Sequence, residues 1–191
     1  VLTRALADAG YTEPTEVQTR AIPMAMEGKD LMVSSSTGSG KTASFVLPAL
    51  MKVLAARAAN AAQRKTGEDT RSSRPAASGP RVLVLTPTRE LAMQVAKATV
   101  DYGRHVPGLR VATIVGGVPY GAQLKALRGP LDVLIATPGR LIDHLNSGKA
   151  VLGDVEMLIL DEADRMLDMG FIEDIERIAE ALPKERQTVM V

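Results

Sequence analysis

Cysteine and tryptophan are both absent from the chain, and its aromatic residues are limited to 2 Phe and 3 Tyr. Without cysteine, disulfide scaffolds, thiolate metal sites and cysteine nucleophiles are all excluded, and a reducing, cytoplasmic setting is expected. With so few rings, the 46% of residues that are hydrophobic must build a core from Val, Leu, Ile, Ala and Met. That is the composition of a parallel sheet buried on both faces. An excess of charge is missing too, since 23 basic residues face 22 acidic ones for a net charge of +1. Positive charge is concentrated between Arg57 and Arg81, where Arg57, Arg64, Lys65, Arg71, Arg74 and Arg81 stand against Glu68 and Asp69, leaving the remainder net negative. Bulk charge therefore gives no argument for nucleic acid. No uninterrupted apolar run approaches the roughly 18 residues of a membrane span, and no charged-then-apolar leader opens the chain. No membrane association is expected.

The 191 residues suit one domain, because a core of this size holds together without metal or disulfide. Short β-type runs recur at Leu31 to Ser34, Val82 to Thr86, Val111 to Val115, Asp132 to Ala136, Val155 to Leu160 and Thr188 to Val191, with helical stretches between them. This alternation predicts an α/β fold, a parallel β-sheet flanked by helices on both faces. Ligands of such sheets bind outside the carboxyl ends of the strands. One segment breaks the pattern: Thr66 to Pro80 is rich in Ser, Pro, Gly and charge and reads as a mobile surface loop. Ala49 to Lys65, before it, reads as a helix running out into that loop. The nine methionines are expected as core filler. His105 and His144 have no neighbouring Cys or paired His, so surface or core packing is expected of both.

The first strand leads into Ser35-Ser36-Thr37-Gly38-Ser39-Gly40-Lys41-Thr42, followed by the helix-forming stretch Ala43 to Leu47. Small residues at a helix N-terminus let backbone N–H groups of Ser36, Thr37, Gly38, Ser39 and Gly40 converge on a phosphate chain. Lys41 would reach the β- and γ-phosphates of ATP, and the Thr42 hydroxyl would ligate Mg²⁺. The strict phosphate-loop pattern has Gly where this chain has Ser35, which keeps the small size. A Gly/Ser turn with a surface lysine is the alternative; the strand before and the helix after favour nucleotide.

The run Val155 to Leu160 ends in Asp161-Glu162-Ala163-Asp164. Carboxylates at the end of an apolar strand suit Mg²⁺ held by Asp161 largely through water, with Glu162 orienting the attacking water. Taken alone, the same residues suit a solvated helix start.

With both motifs in place, the sequence resembles the DEAD-box family of RNA helicases, whose namesake is spelled by Asp161 to Asp164. Gly10 to Gln18 (GYTEPTEVQ) resembles the family's Q motif, which implies nucleotide contact at Tyr11 and Gln18 and an adenine-reading role for Gln18. Pro87-Thr88-Arg89-Glu90-Leu91-Ala92, Gly116-Gly117 and Thr137-Pro138-Gly139-Arg140 resemble three RNA-backbone motifs, which implies RNA contacts from Pro87, Thr88, Arg89, Gly116, Gly117, Thr137, Gly139 and Arg140. Each follows a proposed strand, so all three share one rim of the sheet. Hydroxyls, glycine N–H groups and arginines there would read a backbone without sequence preference. Taken singly, each also reads as a turn or helix cap.

The resemblance implies a RecA-like P-loop domain, ATP and Mg²⁺ as cofactors, RNA as partner, and a second RecA-like domain in cis that supplies an arginine finger. It also implies that Asp164 couples the acidic box to motifs beyond Val191. Two features depart from the family pattern: an upstream adenine-stacking aromatic would precede Val1, and Gln187 to Val191 resembles the strand leading into a Ser-Ala-Thr motif that is missing along with the second domain. The chain is thus expected to be the first domain alone. A DNA translocase sharing the phosphate loop and acidic box, and a non-catalytic ATP-dependent RNA clamp, are the alternatives.

Overall fold

The computed structural model describes residues 1–33, 40–65 and 79–191, with side chains of 63–65 excepted. Ser34 at the end of the expected first strand, Ser35 to Ser39 of the expected phosphate loop, and 66–78 of the expected surface loop lie outside the described residues. Two helices, α1 (Leu2–Asp8) and α2 (Glu16–Met26), lead into an alternating series. It runs β1 (Leu31–Met32), α3 (Lys41–Lys65), β2 (Val82–Leu85), α4 (Arg89–Tyr102), β3 (Val111–Ile114), α5 (Tyr120–Arg128), β4 (Val133–Ala136) and α6 (Pro138–Asn146). Then follow β5 (Met157–Leu160), α7 (Ala163–Asp168), α8 (Ile172–Glu180) and β6 (Gln187–Met190). The strands form one parallel sheet in the order β1-β6-β5-β2-β4-β3.

Successive strand residues point to opposite faces, and here both faces are covered. Val82, Val84, Val133, Ile135, Met157 and Ile159 pack with Phe45, Leu50 and Val53 of α3 and Val95 of α4. Leu83, Leu85, Leu134, Leu158 and Leu160 pack with Leu141 of α6, Met166 of α7 and Ile178 of α8. This double burial is why the central strands read as unbroken apolar runs.

Register aligns the strand ends. Leu85 pairs with both Leu160 and Ala136, Ala136 with Ile114, Leu160 with Met190, and Met190 with Met32. The carboxyl ends of all six strands therefore form one row. Residues following β1, β6 and β5 occupy one half of it, and residues following β2, β4 and β3 the other. Gln187 ties α2 to this frame, its Nε2 donating to the carbonyls of Ala25 at 2.9 Å and Lys29 at 2.7 Å.

Two expectations need correction. The helical stretches expected at Ala43 to Leu47 and Ala49 to Lys65 are one helix, which begins at Lys41 and continues through Pro48. A mid-helix proline costs about 3 kcal/mol, but burial of Phe45, Leu50 and Val53 returns roughly 1.5–3 kcal/mol each. By length and composition Lys41–Ala62 is apolar enough to cross a membrane, with mean hydropathy 1.3, but Lys52 and Arg57 interrupt it, so no uninterrupted apolar run of that length is present, as expected. Its apolar side packs on the sheet as a core helix. Nor are the methionines mainly core, because Met24, Met26, Met32, Met51, Met93 and Met169 are exposed while Met157 and Met166 are buried. Helical phase decides this: Ala21 and Ala25 hold the inner face of α2, which leaves Met24 and Met26 outside.

Candidate functional site

A cleft of 420 Å³ opens above the β1 and β5 ends, bordered by Gln18, Gly40, Lys41, Thr42, Asp161 and Glu162. Four separate sequence segments, 11–18, 40–43, 91–102 and 161–162, converge on it, and Tyr11 is among the residues that border it. Gln18 is held there by a capping box on α2: Thr15 N donates to Gln18 Oε1 at 3.0 Å and Gln18 N to Thr15 Oγ1 at 3.4 Å. Its Nε2 donates to the Gly40 carbonyl at 3.1 Å. Gly40 has a left-handed φ of 82°, and a Cβ on it would lie 2.9 Å from the Thr15 hydroxyl and closer still to Gln18 Nε2. Lys41 and Thr42 open α3 directly after it.

Sequence reasoning missed Leu91, Gln94 and Tyr102, which also border the cleft. Their signal was available: three- and four-residue steps through Ala98 put them on one stripe of α4. Tyr11 is 50% exposed and its ring meets Tyr102 with centroids 5.9 Å apart and planes tilted by 49°.

Asp161 is 3% exposed. Burial pushes its carboxyl up to about 6, against the opposing pull of the Lys41 ammonium, and the neighbouring Glu162 charge adds to the rise. A buried carboxylate so placed gains from a cation beside it. Among the described residues no group of three or more His, Cys, Asp or Glu could cage a metal. A cation at Asp161 would therefore take most of its oxygens from phosphate and water, as Mg²⁺ prefers, so Asp161 and Thr42 fit the ion expected from the sequence.

Glu162 adopts φ 53° and ψ 52°, the single non-glycine residue with positive φ among the described residues. Such a conformation costs about 1–3 kcal/mol and concentrates at functional sites. Its carboxylate accepts from Arg165 Nη1 at 3.1 Å. Asp164, in the first turn of α7, faces a separate 340 Å³ cleft with Lys41, Met32, Leu167, Met190 and Val191.

The other half of the row carries the remaining predicted residues. Pro87 is buried, and Thr88 caps α4 by accepting from Leu91 N at 3.2 Å, so its hydroxyl is already engaged. Exposed Arg89 reaches Gly117, its Nη1 lying 2.8 Å from where a Cβ would stand on that glycine. Thr137 precedes Pro138 at the start of α6 without making a side-chain cap bond, and Gly139 is exposed beside it. Arg140 brackets the glycine turn, donating from Nε to Val115 O at 3.3 Å and from Nη2 to Val118 O at 3.1 Å. His144 is fully buried and His105 lies 2.6 Å from Asp8 Oδ2, so both histidines pack as expected.

A family model described as DEAD/DEAH box helicase matches residues 15–191. The ATP-dependent RNA helicase DeaD of Escherichia coli (strain K12) is 42% identical over 186 residues, covering 97% of this chain and 26% of the relative. The DEAD-box ATP-dependent RNA helicase 30 of Arabidopsis thaliana is 44% identical over 186 residues, covering 97% of this chain and 29% of the relative. Among solved structures, a hypothetical ATP-dependent RNA helicase from Sulfolobus tokodaii aligns with TM-score 0.79 and 36% identity, over 99% of this chain and 48% of that one. The chain thus spans under a third of the curated relatives' length.

Proposed function

The chain belongs to the DEAD/DEAH box helicase family, and from that premise we propose that it is the ATP-binding, first RecA-like domain of an ATP-dependent RNA helicase, acting with a second such domain in the same polypeptide. The observation that carries this reading is the single row of strand ends, with the Gln18, Lys41 and Asp161 cleft on one half and the Arg89, Gly117 and Arg140 turn on the other. Nucleotide and nucleic-acid backbone would meet one rigid sheet side by side.

Gln18 would receive the adenine edge, since a carboxamide both gives and accepts at N6 and N7. Lys41 would pair with the β- and γ-phosphates, and Thr42 and Asp161 would hold Mg²⁺, which supplies positive charge to the phosphate oxygens when bound with nucleotide. Glu162, at the mouth of the cleft, would orient the attacking water, and Asp164 would couple the acidic box to the second domain. Phosphoryl transfer needs alignment and fixed charge more than covalent chemistry, and the described side chains offer both. Arg89, Gly116, Gly117, Thr137 and Gly139 would contact ribose and phosphate, giving RNA binding without base preference.

The test is ATP hydrolysis by the full-length protein with single-stranded RNA, single-stranded DNA or neither. Stimulation by RNA alone is expected. Equal stimulation by DNA would favour a DNA translocase, and RNA-dependent ATP binding with no turnover would favour a clamp.

A further inference from the structure

Behind the glycine turn lies a buried polar group that the nucleotide and RNA contacts do not use. Gln123 is 2% exposed and His144 fully buried. Gln123 Nε2 donates to the Val115 carbonyl at 2.6 Å, which turns its Oε1 toward His144 Nε2 at 3.0 Å. A carboxamide oxygen only accepts, so the proton of His144 sits on Nε2 and its buried Nδ1, which has no partner, is bare. Burial first and the Arg140 charge second hold the His144 pKa below its ordinary value, while Asp143 opposes them weakly. Tyr120 stacks on His144 with centroids 4.3 Å apart and planes 8° from parallel. The Arg140 guanidinium carbon lies 5.8 Å from the centre of the Tyr120 ring.

The Val115 carbonyl accepts from Gln123 and Arg140 together, immediately before Gly116, and Arg140 reaches Val118 immediately after Gly117. Among the described residues neither glycine N–H is donated to the backbone, and both glycines are exposed. The turn's carbonyl flanks are thus fixed from inside while its N–H groups stay available, the arrangement that suits an anion.

We propose that Gln123 and His144 are a positioning pair that sets the Gly116-Gly117 turn and the Arg140 guanidinium for an RNA backbone. The pair rests on the RNA reading of this rim. Gln123 fixes the shared carbonyl, His144 fixes the orientation of Gln123, and Tyr120 holds the imidazole and guanidinium in one stack. Neither buried residue touches RNA.

The experiment compares Gln123→Leu and His144→Phe with wild type in the full-length protein, reading affinity for a fluorescein-labelled oligouridylate and for a fluorescent ADP analogue. Gln123→Leu keeps the volume and removes both hydrogen bonds; His144→Phe keeps the stack and removes only the N–H. Both are expected to weaken RNA binding, Gln123→Leu by about tenfold, equivalent to about 1.4 kcal/mol, with ADP affinity unchanged. Should Gln123→Leu fail to fold, His144→Phe decides. Unchanged RNA affinity in a folded variant, or equal losses for RNA and ADP, overturns the pair. A wild-type protein that binds no RNA overturns the RNA reading itself and is seen before any variant is made.

Discussion

Gln18 and Gly40 hold each other in place: the side-chain amide of one donates to the carbonyl of the other at 3.1 Å, in the space a Cβ on Gly40 would fill. The contact joins the start of α2 to the start of α3 across 22 residues of sequence. Gln18 retains one N–H and one lone pair beyond its bonds to Gly40 and Thr15, enough for the two-point reading of adenine.

Gly40→Ala should therefore lose nucleotide affinity and stability together, since the left-handed φ alone costs about 1–2 kcal/mol for a residue with Cβ. Gln18→Ala should cost about 1 kcal/mol through the lost capping box and erase the preference for ATP over GTP. Melting curves and competition against a fluorescent ADP analogue measure both effects. A Gln18→Ala protein that still prefers adenine would reject the assigned role.

Lys41 borders two clefts and is absent from both core clusters, so Lys41→Ala should fold normally and bind nucleotide about 10- to 100-fold more weakly. That loss corresponds to a charge-assisted bond of about 1.5–3 kcal/mol. Titration with the same analogue reads it, and unchanged affinity would count against the assignment.

Asp161 gives a pH signature. Its carboxyl titrates at about 6 in the fold against 3.8 ordinarily, so the folded chain binds the extra proton between those values and its stability falls as pH rises through that window. Above about pH 6 the buried charge costs on the order of 2–3 kcal/mol. Asp161→Asn removes the charge, so its advantage over wild type in the absence of nucleotide should be near zero at pH 4 and reach that size at pH 7. Denaturant titrations at several pH values check this, and an advantage independent of pH would mean that the carboxyl titrates alike in the folded and unfolded chain.

How far the sequence could carry these conclusions varies from residue to residue. The alternation of apolar runs and helices located all six strands within one or two residues, and double burial leaves its mark most fully on the central strands β2, β4 and β5. Gln18, Lys41, Thr42 and Asp161 were legible as motifs and do converge on one cleft. The left-handed Glu162 was invisible because nothing in its side chain signals that conformation. Gln123 and His144 escaped for a different reason: 21 residues separate them, and only the pairing of β3 with β4 brings α5 beside α6. Thr88 carried both of its readings, and the capping one is the bond observed.

The isolated 191-residue chain should bind ATP or ADP and yet show neither RNA unwinding nor RNA-stimulated turnover. Gln18, Lys41, Thr42, Asp161 and Glu162 border one cleft, but nothing described opposite them supplies a second cation to the γ-phosphate. Arg165, the arginine next to the acidic box, is engaged with Glu162 at 3.1 Å. An arginine finger is worth about 10³ to 10⁵ in rate. Bound RNA would meet the Arg89 and Gly117 rim on the same sheet that carries Asp161, so no closure of one body on another links the two ligands. Coupling requires two states that both ligands distinguish. An ATPase assay on the isolated chain, with and without single-stranded RNA, beside the same chain joined to the second domain proposed above, measures this. Strong RNA-stimulated hydrolysis by the isolated chain would refute the two-domain mechanism, because the finger and the closing cleft would then be dispensable.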